Sequence, residues 1–371
     1  MKVRVQPLWL LFLFFPFTVI AQTAKPSAPA EWSKILEAAN KEGKLAVSIP
    51  ASAELRKALD ENFKKRFPAI ELELVAARGP THAVKIVQEK KAGMNSYDLH
   101  LGGTSSIFAA GFLKEGLVEP LPPWMILPEV KEAKNWWGGH MWADKAQRYV
   151  YPFMVFLTET IWYNTENVKP DQVTSYDDLL NPRWKGKIAI LDPRTPGSGE
   201  STWGFLLRIK GEEFLKKLSA QELVVNRDQR QIADQLAKGK VALTMGLSYY
   251  TFTPFLKAGV PLRPLPVVKE GTYASSGSGN VVALKNALHP NAAKIFLNWL
   301  LARESQELYS RAIGQATRRL DVDTKWTREL GVIAAKDTLT LERLQEVENY
   351  SEDAVEKYRD PGRALANKLL N

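Results

Sequence analysis

The fold is decided by Lys44-Leu45-Ala46-Val47-Ser48-Ile49-Pro50-Ala51-Ser52-Ala53-Glu54-Leu55-Arg56-Lys57-Ala58-Leu59-Asp60-Glu61-Asn62-Phe63. Residues 44–49 read as a short apolar strand. It breaks at Pro50-Ala51-Ser52, where the Ser52 hydroxyl can cap a helix that turns Leu55, Leu59 and Phe63 inward. The same order recurs twice. Residues 70–75 alternate apolar and acidic side chains, as a half-exposed strand does, and Arg78-Gly79-Pro80-Thr81 leads into a helix carrying Val84 and Val87. Residues 97–101 form the third strand, ending in Gly102-Gly103-Thr104-Ser105 before a helix over 107–113. Strand, loop and helix in alternation build a parallel sheet covered by helices, with ligand loops at the carboxyl ends of the strands.

Upstream, Trp32, Ile35, Leu36 and Ala39 share one helical face, closed by Gly43 at the cap position. Before them, Lys2 and Arg4 precede an apolar run over 8–20 that ends at Val19-Ile20-Ala21. This is the order of a secretory signal peptide over residues 1–21. Such a run rises about 20 Å as a helix, short of a bilayer core, and Pro16 interrupts it. A retained anchor is the plainer alternative. Residues 22–30, rich in Pro, Ala and Ser, read as a flexible leader.

Downstream, the Trp-rich region 124–142 reads as lobe core more than as a cleft mouth or a partner contact. Residues 149–163 supply one or two buried strands. A second series follows: a strand over 187–191 feeds Asp192-Pro193-Arg194-Thr195-Pro196-Gly197-Ser198-Gly199-Glu200-Ser201-Thr202 and a helix from Trp203. Strands are expected over 223–226 and 241–245, the latter delivering Gly246-Leu247-Ser248-Tyr249-Tyr250. Residues 260–268 intersperse Pro with apolar side chains, which suits a crossing strand. The Gly- and Ser-rich 271–280 leads to a strand over 281–284 and an amphipathic helix with Ile295, Phe296, Trp299 and Leu300. From Leu330 onward the pattern is helical.

Removing the signal peptide leaves roughly 350 of 371 residues, enough for two lobes. The chain has no cysteine, so its lobes hold by their cores alone, and a lipid-modified cysteine, thiolate metal sites and cysteine nucleophiles are excluded. The formal charge is +9, two units of it on Lys2 and Arg4. That balance favours small anions or membrane headgroups nearby. No basic run of five argues for nucleic acid.

The order of segments resembles the extracellular solute-binding proteins of bacterial ABC importers, in the group that includes the ferric-ion-binding proteins. The resemblance covers nearly the whole mature chain. It rests on the strand–helix pair 45–67, Tyr97-Asp98-Leu99, Gly116-Leu117-Val118-Glu119-Pro120-Leu121 and Trp162-Tyr163-Asn164. It continues through Leu180-Asn181-Pro182-Arg183-Trp184-Lys185-Gly186-Lys187, the Asp192-Pro193 loop, Tyr249-Tyr250 and His289-Pro290-Asn291-Ala292-Ala293. The resemblance implies an α/β, two-lobed periplasmic-binding-protein fold, each lobe a central β-sheet flanked by helices, joined by crossing hinge strands. Residues 31–151 and 283–371 would form the first lobe, 164–261 the second, and 152–163 and 262–282 the hinge crossings. It also implies a periplasmic monomer that delivers a small-molecule ligand to a membrane permease.

Among candidate ligand residues, the 192–202 loop is the strongest. Arg194, Ser198, Gly199, Ser201 and Thr202 precede a helix whose free amides and dipole favour an anion. A plain Gly-Pro turn is the alternative. Ser52, Arg78, Thr104 and Ser105 offer the same chemistry from the first lobe, with simple helix capping as the competing role. Arg227 and Arg230 beside Asp228 read as a solvated face or an anion contact. Tyr249 and Tyr250 resemble the tyrosine pair of ferric-binding relatives; Fe³⁺ as transported ligand would need anionic oxygens. The match is incomplete, because residues 49–52 carry no His or Glu. Without metal the two phenols can donate to an anion or stack on a ring. The four histidines are widely spaced, His100 lies mid-strand, and His289 starts a helix.

No P-loop, Gly-x-Ser-x-Gly elbow or His-Glu-x-x-His is present, so no enzyme and no cofactor is expected. The sequence therefore predicts a binding protein for a carboxylate, phosphonate or sugar phosphate that closes by a hinge. Ferric iron is the second choice and a polyamine the third. A two-lobed sensor would carry the same features.

Overall fold

The computed structural model describes residues 29–158 and 161–370. The expected signal segment 1–21 and all but the end of the leader lie outside the described residues. Strands β1 (Lys44–Pro50), β2 (Glu71–Ala77), β3 (Leu99–Gly102), β4 (Val118–Glu119) and β5 (Tyr151–Pro152) come first. β6 (Phe156–Thr158), β7 (Ile161–Asn164), β8 (Ile188–Leu191), β9 (Val224–Asn226) and β10 (Leu243–Met245) follow. β11 (Leu262–Pro264), β12 (Ala274–Ser275), β13 (Asn280–Leu284) and β14 (Val332–Ala334) complete the described strands.

One sheet has the order β2-β1-β3-β13-β4, with β5 also on β13; a second has the order β11-β7-β10-β8-β9. In the first, β1 runs parallel to β2 from Lys44 opposite Glu71 to Pro50 opposite Ala77, and parallel to β3, whereas β13 is antiparallel to β3. In the second, β8 is parallel to β9 and β10, with β7 antiparallel. The chain passes between sheets twice. On the way it lays down β6 and β12, which pair antiparallel and are joined by β14. Residues 149–163 thus yield three short strands where one or two were expected. Residues 332–334 are strand rather than helix, because β6 offers Val332, Ile333 and Ala334 a free edge.

The helices are α1 (Ala30–Glu42), α2 (Ala53–Arg66), α3 (Gly79–Lys91), α4 (Thr104–Ala110), α5 (Pro128–Lys131), α6 (Ser198–Ser219, kinked at Gly211) and α7 (Gln229–Ala237). Then come α8 (Thr253–Lys257), α9 (Pro290–Leu301), α10 (Arg303–Ile313), α11 (Leu341–Val347), α12 (Glu352–Ala354) and α13 (Asp360–Leu369). Leu55, Leu59 and Phe63 of α2 are fully buried, and the Phe63 ring meets Phe296 and Trp299 of α9. Ser52 caps α2, accepting from the Leu55 amide at 3.2 Å.

The first core combines β1, β3, β13, α2, α9 and α10 and takes in Trp136; the second combines β8, β10 and α6. The last helix departs from the expected partition. Leu365, Ala366 and Leu370 belong to the second core, so α13 packs on α6 rather than on the first lobe. Glycine makes this crossing possible: a Cβ on Gly362 would lie 2.9 Å from the Gly204 Cα.

Candidate functional site

The parallel strands of both sheets end facing one another. On the first sheet these ends are Ser52 after β1, Arg78 after β2, and Gly103-Thr104-Ser105 after β3. On the second they are Asp192 after β8, Arg227 after β9, and 246–250 after β10.

Three contacts join these ends directly. The Ser105 hydroxyl donates to Glu200 Oε2 at 2.5 Å. Arg78 Nη2 donates to the Arg227 carbonyl at 2.5 Å. The Tyr249 ring lies against Gly314, the left-handed cap of α10. Farther out, Lys257 of α8 stands 3.8 Å from Glu54 of α2.

The 192–202 loop is held by its own groups and by side chains and carbonyls around it. Asp192, 1% exposed, receives the Arg194 amide at 3.0 Å, Arg194 Nε at 2.8 Å and Arg227 Nε at 3.0 Å. Burial pushes its carboxyl up, but the hydrogen bonds from Arg194 and Arg227 outweigh it and hold it below the ordinary aspartate range. Arg194 also donates to the Leu370 carbonyl. Ser198 donates to the Gly246 carbonyl at 2.6 Å, and Ser201 to the Gly197 carbonyl at 3.0 Å. Thr202 pairs with the Tyr273 hydroxyl at 3.3 Å. Gly199 has a packing role: a Cβ there would stand 2.2 Å from the Leu191 carbonyl oxygen.

Glu200, 0% exposed, fills the start of α6. It accepts from the Gly197 amide at 3.4 Å, from Arg359 at 3.2 Å, from Arg363, and from Ser105. The anion expected at this helix start is thus the protein's own carboxylate, which satisfies the dipole and a free amide together. The sequence did carry the signal, since an acid at the third helical position is the mark of a capping box.

At the other strand ends, Thr104 is buried at the start of α4. Arg78 is exposed, and among the described residues no carboxylate pairs with it. Asp228 caps α7, accepting from the Arg230 and Gln231 amides. Gln229 Oε1 accepts from the Ser248 amide at 2.8 Å and Thr251 Oγ1 at 2.9 Å, bracing the tyrosine turn. Burial raises the Tyr249 phenol above its ordinary value. Burial does the same to Tyr250, against weaker opposing hydrogen bonds from Ser248, Ser278 and Gln229. Among the described residues no three His, Cys, Asp or Glu side chains converge as a metal site. The residues that spacing could not reveal are Gln229, Ser278, Gly314, Asn349, Arg359 and Arg363, because they enter from segments distant in sequence.

Two histidines form a separate buried chain behind the first-lobe loops. Ser48 Oγ lies 3.1 Å from His82 Nδ1 and 2.8 Å from His100 Nδ1, and His82 Nε2 lies 2.9 Å from the Tyr97 hydroxyl. His100 is buried and stacks on Phe112.

A family model described as "Bacterial extracellular solute-binding protein" matches residues 46–307, well over half of the chain. Iron-bound HitA from Pseudomonas aeruginosa has a similar structure, with a TM-score of 0.66 at 16% identity, over 88% of this chain and 99% of that one. AfuA from Actinobacillus pleuropneumoniae, with exogenous fructose-6-phosphate bound, superposes with a TM-score of 0.63 at 20% identity, over 88% and 98%. At these identities the likeness shows the fold, two α/β lobes of the periplasmic binding type. An uncharacterised protein of Haemophilus influenzae is 30% identical over 137 residues, 36% of this chain and 38% of that protein. The chain thus spans about two-fifths of that relative.

Proposed function

The chain belongs to the bacterial extracellular solute-binding proteins, the substrate-binding components of ABC uptake systems, and from that premise we propose that its cargo is a small organic anion. A carboxylate, a phosphonate or a sugar phosphate has the right chemistry. The observation that carries this reading is the Arg78 guanidinium, which reaches the Arg227 carbonyl of the opposite lobe and has no carboxylate on it among the described residues. A cation at that point would face the Arg78 guanidinium, whose charge no carboxylate among the described residues offsets. An anion would receive charge-assisted hydrogen bonds from Arg78, with Arg227 of the other lobe close by but already donating to Asp192. Ser52, Thr104, Tyr249 and Tyr250 supply further donors, Ser105 donates to Glu200 instead, and Arg194, Ser198, Gly199, Ser201 and Thr202 shape the facing loop. Bridging both lobes, the solute favours the closed form by its differential contacts, and the permease receives that form.

Ferric iron is the second reading, favoured by two consecutive tyrosines at the end of β10 on the interlobe face and by the iron-bound state of HitA. Thermal unfolding against a panel of organic anions, and Fe³⁺ with and without citrate, separates the two. A solute at 100 times its dissociation constant adds about 2.7 kcal/mol. Arg78→Ala removes a charge-assisted bond worth about 1.5–3 kcal/mol and weakens anion binding roughly tenfold to a hundredfold. A shift with Fe³⁺ alone, with a tyrosinate absorption band lost in Tyr249→Phe, replaces the anion reading with iron.

A further inference from the structure

Glu200 accepts from four groups between the lobes, and these partners divide unequally. Gly197 belongs to the loop before α6, and Arg359 and Arg363 belong to the carboxyl-terminal segment packed on that helix. Among the described residues only Ser105, at the start of α4, comes from the first lobe. The carboxyl-terminal segment also fixes the loop from behind. Arg359, 4% exposed, donates to the Asn349 carbonyl at 3.0 Å and the Gly197 carbonyl at 3.3 Å, and Asn349 Nδ2 donates to the Ser201 carbonyl at 2.9 Å.

We propose that Ser105 and Glu200 form a latch of the protein's own making, which holds the lobes closed without a solute and sets how much of the protein stands open to receive one. The asymmetry of partners is what makes the contact reversible. Of the bonds to Glu200, separating the lobes breaks only the serine's. Glu200 keeps both guanidiniums and the Gly197 amide, so opening strands no charge in the interior. The freed hydroxyl recovers its hydrogen bond from water. A carboxylate shared equally between lobes would resist opening far more strongly, because separation would leave a buried charge or a buried cation unpaired. Ser105 and Glu200 are on this view positioning residues of the closed form. The solute, held by Arg78 elsewhere on the same interface, adds to a closure that the latch has already biased.

The test needs no solute, so it stands or falls separately from the anion reading. The chain has no cysteine, so Lys64→Cys on α2 and Lys217→Cys on α6, both exposed positions, accept a spin-label pair specifically. The distance distribution is read on full-length mature protein stripped of solute by unfolding, dialysis and refolding. The expected parent distribution is dominated by the short distance. Ser105→Ala, which leaves Glu200 with its other three donors, should lower the closed-to-open ratio roughly tenfold to a hundredfold. A circular dichroism spectrum matching the parent checks that the variant folds. An unchanged distribution in Ser105→Ala overturns the latch, as does a parent already dominated by the long distance. Glu200→Gln, which keeps the shape and one acceptor oxygen, should open the lobes in the same direction, and no opening there overturns it equally.

Discussion

Gly314 is the point at which closure can be blocked by one methyl group. It ends α10 in the left-handed conformation at φ 65°, its amide donating to the Ser310 carbonyl at 2.9 Å. A Cβ placed there would stand 2.3 Å from Tyr249 Cδ1, 2.7 Å from Cε1 and 3.2 Å from Cγ. The approach reaches the root of the ring, so a tip rotation does not relieve it. Gly314→Ala therefore carries two separable costs. The left-handed backbone costs an alanine about 1–2 kcal/mol whether the lobes are apart or together. The clash costs about 1–3 kcal/mol more, and only when the lobes are closed. That second cost lowers the closed-to-open ratio roughly fivefold to 150-fold. Gly314→Ala and Tyr249→Ala, alone and combined, form a double-mutant cycle read by lobe spacing and by thermal unfolding. With the ring gone, only the backbone cost should remain, giving a coupling of about 1–3 kcal/mol. Tyr249→Phe keeps the ring and should restore the full penalty. Equal effects of Gly314→Ala in both backgrounds would refute the reasoning, since the ring would then not be the obstacle.

Burial, with repulsion from His82 as a smaller cause, holds the His100 imidazole down to about 3, against 6.5 in an unfolded chain. The unfolded state therefore binds the extra proton first, so this contribution is complete above about pH 6.5 and is lost as the pH falls towards 3. The limiting slope is about 1.4 kcal/mol per pH unit. Denaturant unfolding of His100→Gln between pH 6.5 and 4.5 should show a shallower loss than the parent, and parallel curves would exclude His100 as the source. Asp98, 1% exposed, accepts from the Ala46 amide at 2.9 Å, the His289 amide at 2.9 Å and His289 Nδ1 at 3.0 Å. Asp98→Ala leaves three donors without their acceptor where β1, β3 and α9 meet, and should cost about 3–5 kcal/mol in denaturant unfolding.

Local sequence determined much of this protein. The apolar run 44–49, the capping Ser52 and the spacing of Leu55, Leu59 and Phe63 establish β1 and α2 with no help from elsewhere, because strand period, capping and helix period are properties of neighbours in the chain. The three repeats of that unit imply a parallel sheet and place Arg78 and Ser105 at its carboxyl edge. Only the tertiary structure decided what those edges meet. The loop at 192–202 has the composition of an anion cradle, yet Glu200 supplies the anion, and Arg194 turns to Asp192 and the Leu370 carbonyl. The helix at 360–369 follows an ordinary amphipathic pattern that does not say which lobe it covers. It goes to α6 because Gly204 and Gly362 let the two helices approach within a few ångströms and because Arg363 reaches Glu200 there. Local propensity and periodicity act over a few residues, whereas a pairing such as Ser105 with Glu200 depends on how two separately folded sheets are brought face to face.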